Sequence, residues 1–369
     1  MPAAPSSPTA VSSTPLRPEL VDVDVVLPNL NSRYSGVTST IVALLPHHVR
    51  RLRVAGLGPH LGDDTPRIGW ADILRHGWQR PRSGRSARIW HARRNIEMVW
   101  GVVLARLMRQ PWKLVFTSAA QRRHTAFTRW LLRRMDAVIA TSPGAASFLK
   151  VPATVSLHGV DTDVWHPAAD RDRAWAELGL PGRFGIGIFG RIRPQKGTDL
   201  FVRALVDLLP ARLDWTGVVI GRCKTEDAAF LARLKGELEI AGLADRVVFL
   251  GERPLDEVRR IMRALAVVVA PPRTEGFGLL PLEAQASGVP IVASRAGAHE
   301  ALIDDGRTGL LVPADDGDAL TAALAAVMDL APPDRLAMGR AGRARVEADF
   351  SIEREAARIE AIYAGLWRR

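Results

Sequence analysis

The 369-residue chain has one cysteine, Cys223, which excludes a disulfide framework and a cysteine-ligated zinc site and suits a reducing compartment. No apolar run is long enough to cross a bilayer, and no basic start leads into an apolar core and cleavage site, so neither a membrane span nor a secretory signal is expected. The glycine spacings form neither G-x-G-x-x-G nor a P-loop, which leaves dinucleotide binding and ATP hydrolysis unsupported. No Asp-x-Asp pair falls at the carboxyl end of a strand: "DVD" opens the first strand and "DTD" lies in a linker. Fixed-period repeats and heptad runs are missing from the body of the chain.

What is present is an ordinary globular composition, 47% hydrophobic, enough for two or three domains. The net charge of +11 is unevenly spread. Residues 1–165 hold 22 Lys and Arg against 10 Asp and Glu, a net of +12, whereas residues 166–369 hold 28 against 29, a net of −1. Such asymmetry points to an anionic partner for the first half: nucleic acid, a membrane surface or a phosphorylated acceptor.

Residues 1–20, rich in Pro, Ala, Ser and Thr, read as a disordered leader. Thereafter short β-branched runs ("VDVDVVL", "RIWH", "KLVFT", "AVIAT") alternate with helix-period segments ("NIEMVWGVVLARLM", "TAFTRWLLRRM"). After "HGVDTDVWHPAADRDR" the alternation restarts with "FGIGIFG", "DWTGVVI", "RVVFL", "LAVVVA", "PIVAS" and "GLLVP". Strands alternating with helices predict parallel, doubly wound sheets. The expected organisation is an α/β protein with domains at 21–165 and 166–350 and a C-terminal helix over 351–369 that packs back on the first domain.

Ligands of such sheets collect at the carboxyl ends of the strands. Two segments fall there. In "FGIGIFGRIRPQKGTDL" a strand ends at Phe189 and Gly190, and Arg191 and Lys196 follow before a helix; a planar guanidinium and a point-charge ammonium together can clamp a diphosphate. In "PPRTEGFGLLPLEAQAS" a glycine-bearing loop opens a short helix with Pro281 in its first turn. Loop amides at a helix start form an anion site, Glu275 before the turn can accept sugar hydroxyls, and Glu283 can take both hydroxyls of a ribose. A phosphate between two polyhydroxyl groups describes a nucleotide sugar.

"GRIRPQKGTDL", the E-x7-E arrangement "EGFGLLPLE" and "VPIVASRAGAHEAL" resemble family 4 of the retaining glycosyltransferases, enzymes with two Rossmann-like domains facing across a cleft, the GT-B fold. "PNLNSRYSGVTSTI", "IWHARRNIEMVWG" and "FTSAAQRRHTAFTRWLLRRM" are most similar to bacterial lipopolysaccharide core mannosyltransferases. The resemblance implies that Arg191 and Lys196 hold the donor diphosphate, that Gly190, Gly276, Phe277, Gly278 and Leu279 line the donor site, and that Glu275 and Glu283 bind hexose and ribose. Gly36 matches the glycine of the first domain that meets the donor phosphates or the acceptor. Where many members have a histidine at the end of the strand that here reads "KLVFTSAAQ", this chain has Thr117 and Ser118. The backbone of Thr117, His91 or His124 are the candidates for that role, with Arg93 beside them at the acceptor.

The resemblance implies no cofactor beyond the nucleotide sugar and no metal ion, Arg191 and Lys196 supplying the positive charge. The basic helix "QRRHTAFTRWLLRRM" and the loop "RHGWQRPRSGRSAR" suit an anionic surface. The expectation is a peripheral enzyme on the inner face of the cytoplasmic membrane, moving mannose from GDP-mannose to a Kdo-bearing lipid A core, with no nucleic-acid partner. Open alternatives are a UDP- or ADP-hexose donor and another acceptor (phosphatidylinositol, an exopolysaccharide lipid, a soluble sugar). A nucleic-acid binder would explain the charge and leave the donor motifs without a purpose.

Overall fold

The structure, a computed structural model, describes residues 17–33 and 35–368. Of the leader expected over 1–20, residues 1–16 lie outside the described residues, and Leu20 is buried in a 3-10 turn, Leu20–Asp22. Twelve strands follow among the described residues: β1 Val25–Pro28, β2 Val54–Leu57, β3 Arg88–Ala92, β4 Trp112–Ser118, β5 Ala137–Ala140, β6 Thr154–Val155, β7 Phe184–Phe189, β8 Trp215–Ile220, β9 Val247–Gly251, β10 Val267–Ala270, β11 Ile291–Ser294 and β12 Gly309–Val312. They form two six-stranded sheets, in the orders β2-β1-β3-β4-β5-β6 and β12-β11-β10-β7-β8-β9. Pairing is parallel, with Val25 opposite Val54, Trp90 opposite Leu114, and Ile188 opposite Val219 on one side and Val269 on the other. Two doubly wound sheets were expected and are found.

Side-chain alternation explains how the second sheet is covered on both faces. Val219, Val267 and Val269 point into one apolar cluster with Phe201, Leu205 and Leu324; Val218, Val268 and Ala270 point into another with Leu265, Leu282 and Val346. Period-two projection from central strands requires helices on each side, since both sets of side chains are removed from water. Burying each such Val or Leu contributes roughly 1.5–3 kcal/mol.

Contacts divide the chain into two units: the first runs to Thr117 and includes Thr125–Ile139 and the chain from Ile359 on; the second comprises Ser118–His124 and Ala140–Arg358. Residues 140–165, placed with the first half in the sequence reading, associate with the second unit. There the Val160 amide donates to Phe350 O (2.9 Å), and Val160 O accepts from Ile352 N (3.1 Å). The last helix, Ile352–Trp367, gives residues to both units. In the first, Trp367 Nε1 donates to Ala87 O (3.0 Å) and the Arg85 guanidinium lies 3.3 Å from the centre of the Trp367 ring.

Candidate active site

Two loops at the carboxyl ends of β7 and β10 are stapled together. Arg273 grips Asp199 with both terminal nitrogens (2.9 and 2.8 Å), reaches Asp315 through Nε (2.6 Å) and also donates to Pro194 O. Gln195 Nε2 bonds Thr274 through its backbone and hydroxyl oxygens (3.0 Å each), and the Arg273 amide donates to Gln195 O (2.9 Å). Gly197 makes the close approach feasible: its φ is +70°, and a Cβ there would lie 2.1 Å from Pro271 O.

That staple brings Lys196 to Glu275. Lys196 Nζ donates to Glu275 Oε2, and Glu275 Oε1 accepts from the Gly276 amide (2.9 Å). Burial pushes the Glu275 carboxyl up, but the charge and hydrogen bond of Lys196, helped by the Gly276 amide, outweigh it and hold the group below its ordinary value. Arg191 is exposed just beyond Gly190, which has a φ of +125°. Arg193, which the motif reading left out, lies beside Arg191 and within electrostatic reach of Glu275; burial, then the charge of Arg191, lowers its pKa.

The glycine loop is braced from behind by residues that the sequence reading also missed. Gly278 has a φ of +84°, and a Cβ there would come 2.4 Å from Nε2 of buried His299, whose Nδ1 bonds Ser294 O (2.8 Å). Burial lowers the His299 pKa, so its ring is neutral against the loop. Phe277 is buried, its ring edge-on to His158 at 4.7 Å, and His158 Nδ1 is 2.7 Å from Glu355 Oε1. Leu279 caps the helix Leu280–Ala286, its carbonyl accepting from the amides of Leu282 and Glu283 (2.9 and 3.1 Å). Glu283 retains some accessible surface but is ringed by protein, and this desolvation pushes its carboxyl up to about 7, with Arg259 pulling weakly the other way. A cavity of about 530 Å³ opens beside Glu275, lined also by Thr274, Gly297, Gln121 and Ser142.

In the first unit, Gly36 opens the helix Gly36–Val49, and Ser35 caps it by accepting from Thr38 N (3.4 Å). Among the described residues, a Cβ at Gly36 would meet nothing within 4 Å, so their packing does not demand glycine there. Arg94 fixes this helix start: Nη1 reaches Asn29 Oδ1 (2.7 Å) and Glu97 Oε1 (2.9 Å), and Nη2 reaches Ser35 Oγ (2.9 Å) and Thr38 Oγ1 (3.0 Å). Arg93 is buried, with Nη1 on Thr40 Oγ1 (2.7 Å). His91 and Thr117 do meet: His91 Nε2 is 2.7 Å from Thr117 Oγ1, while Nδ1 is 2.5 Å from Tyr363 OH. Both ring nitrogens are therefore engaged inside the protein. Burial, then the charge of Arg93, lowers the His91 pKa well below its usual value. His124 lies in the loop after β4, half-buried.

A cationic pair at one strand end, a carboxylate and a glycine loop at the next, and a desolvated glutamate one helical turn on make a site for an anion flanked by hydroxyl groups. The family model described as glycosyl transferases group 1 matches residues 183–329, the stretch that carries all of these groups. The chain is 51% identical, over 95% of its length and 98% of the relative's, to the lipopolysaccharide core biosynthesis mannosyltransferase LpcC of Rhizobium leguminosarum bv. viciae. It is 48% identical to the corresponding LpsB of Rhizobium meliloti (strain 1021), over 95% and 99%. Among solved structures, it matches Anabaena Alr3699/HepE, crystallised with UDP, with a TM-score of 0.80 at 19% identity over 93% of this chain and 100% of that one, a likeness of fold. It also matches the C-terminal domain of a group 1 glycosyl transferase, LpcC, from Francisella tularensis (36% identity, TM-score 0.51, 53% of this chain and 100% of that one). The chain belongs to the group 1 glycosyl transferases, and its fold is of the GT-B type.

Proposed function

We propose that this glycosyltransferase moves mannose from GDP-mannose, with retention at the anomeric carbon, onto a Kdo-bearing lipid A core at the inner face of the cytoplasmic membrane. The observation that carries the reading is the 51% identity to a lipopolysaccharide core mannosyltransferase along 95% of the chain, including both the loops that meet at Lys196 and Glu275 and the first-unit residues around Gly36.

In this reading Lys196 exchanges Glu275 for a phosphate oxygen when the donor arrives, and Arg191 takes a second one. Glu275, released, accepts hydrogen bonds from the hexose, and Glu283 from the ribose. The acceptor hydroxyl attacks the anomeric carbon on the face that the diphosphate leaves. The bond from that carbon to the acceptor oxygen forms as the bond to the phosphate oxygen breaks, and the acceptor proton passes to the departing phosphate. Arg191 and Lys196 stabilise the charge that develops on it, the work a metal ion does elsewhere, so no metal is required.

The acceptor and the membrane are supported by the surface of the first unit. No helix among the described residues is long and apolar enough to cross a membrane. Seven of the fourteen exposed large apolar residues among those described nevertheless fall between residues 70 and 134, among them Trp78, Leu107, Phe127 and Trp130. That stretch has 15 Lys and Arg against Asp72 and Glu97 alone. Phe127 and Trp130 stack at 6.0 Å, with the Arg134 guanidinium 3.5 Å from the Trp130 ring centre. Each basic residue held near an anionic bilayer contributes about 1 kcal/mol. The test is twofold: the chain should sediment with anionic vesicles at low salt and leave them at high salt, and deletion of its gene should shorten the lipopolysaccharide core. An unchanged core refutes the acceptor.

A further inference from the structure

A cavity of about 730 Å³ with no part in this chemistry lies at the opposite end of the second sheet. It is walled by Phe184 at the start of β7 and Ala266 just before β10, whereas Lys196 and Glu275 follow the far ends of those strands. Five arginines line it (Arg171, Arg183, Arg335, Arg340, Arg343) against three carboxylates (Asp170, Asp172, Glu347), a net of +2. Each carboxylate already has a partner, two of them arginines of the same wall. Glu347 pairs with Arg343 (2.5 Å), Asp172 with Arg183 (3.2 Å), and Asp170 accepts from the Arg173 amide (3.0 Å). Arg343 is further spent on the carbonyls of Thr162, Trp165 and Ala286.

Arg171, Arg335 and Arg340 remain, and among the described residues none of them has a carboxylate within 4.0 Å. Arg171 donates through Nη2 to Gly288 O (2.7 Å), but its buried Nε has no hydrogen-bond partner. Arg335 is 4% exposed, its Nη1 on the carbonyls of Met328 and Leu330 and its guanidinium 4.7 Å from the Phe184 ring centre. Burial, then the charge of Arg335, lowers Arg171 to about 10, and burial lowers Arg335 as well, the charge of Asp172 offsetting only part of the shift in each. Desolvated like charges with a donor to spare oppose folding unless something anionic offsets them. The rest of the wall is apolar, including Trp175, Ala264 and Leu336.

We propose that this cavity is a second anion site, distinct from the sugar-nucleotide site, for a small phosphorylated ligand whose phosphate is held by Arg171, Arg335 and Arg340. Several planar forks lining one cavity match the three oxygens of a phosphate better than the two of a carboxylate. The phosphate meets the guanidinium groups at their terminal nitrogens, and the apolar part of the ligand lies against Trp175 and Leu336.

Inorganic pyrophosphate, titrated calorimetrically into the full chain, tests this, because it fits both phosphate sites without needing a sugar. The parent should bind two equivalents, and R191A/K196A should keep one. On that background R340A, an exposed position, should weaken the remaining site about tenfold, the loss of one charge-assisted hydrogen bond, and A344E, which sets a carboxylate in the cavity wall, should abolish it while thermal unfolding stays near the parent's. Loss of all binding in R191A/K196A, or unchanged binding in both R340A and A344E, overturns the proposal. Phenyl phosphate against free phosphate then separates a phosphate ester with an apolar body from the bare ion: tighter binding of the ester supports the apolar wall as part of the site, and equal binding contradicts it.

Discussion

Lys196 donates to Glu275 across 79 residues of sequence, so the ammonium expected to grip the donor is neutralised by the carboxylate expected to grip its sugar. In the proposed reaction the pair acts as a latch that a diphosphate opens, phosphate replacing the carboxylate on Lys196 and freeing it for hydroxyl groups. Replacing Lys196 or Arg191 with Ala should therefore lower transfer on the order of 10²-fold or more, as the loss of one preorganised charge donor does. Near-normal turnover in both variants would remove them from the mechanism. Chelator should leave transfer unchanged; loss with EDTA and rescue by magnesium or manganese would show that the two cations do not suffice.

Glu283 makes a prediction about pH. Its carboxyl is raised from 4.5 to about 7 by desolvation, so ionising it opposes folding. Its stabilising contribution is complete below about pH 4.5 and is lost as the pH rises through 7. Since the side chain is partly accessible, E283Q should raise stability at pH 8 by only on the order of 1 kcal/mol, a few degrees in Tm, and hardly change it at pH 5. In the proposed reaction the ribose hydroxyls are taken by the ionised form of Glu283. Donor KM should rise as the pH falls from 8 to 6 in the parent and be high and flat in E283Q.

The glycines divide into structural and functional ones. G197A and G278A place a Cβ at positive φ and within 2.1 Å of Pro271 O and 2.4 Å of His299 Nε2, so each should cost at least the roughly 1–2 kcal/mol of a left-handed L residue. G36A meets nothing within 4 Å and should unfold with the parent. If Gly36 faces donor or acceptor, that variant alone combines normal stability with lost transfer; full activity in G36A would make the glycine incidental.

His91 links Thr117 to Tyr363 inside the first unit, at 2.7 and 2.5 Å. Y363F removes one partner and leaves a buried ring nitrogen unpaired, which should cost about 1–3 kcal/mol in urea unfolding. A change below 0.5 kcal/mol would mean that the hydrogen bond contributes little to fixing the helix Ile352–Trp367.

The strand runs of both halves were legible because buried parallel strands are apolar on both faces, and "GRIRPQKGTDL" and "EGFGLLPLE" put Lys196 and Glu275 beyond the ends of two neighbouring strands, where they meet. Two strands escaped notice: Val54–Leu57 contains a glycine and is four residues long, and Thr154–Val155 has only two. The reading also missed what depends on distant partners. Arg273, Arg94 and His299 are ordinary in their local sequence, and only folding brings Asp199, Ser35 and Gly278 to them. The raised carboxyl of Glu283 was equally hidden, since desolvation comes from the packing around the helix rather than from its own residues.

The account is tested most directly by offering the purified enzyme a Kdo-bearing lipid A core acceptor with labelled GDP-mannose, UDP-glucose, UDP-galactose and ADP-glucose in parallel, and determining the anomeric configuration of the product. It predicts label transferred from GDP-mannose alone, in an α linkage that keeps the donor's configuration. Transfer from a UDP- or ADP-hexose in its place, or an inverted product, would contradict it.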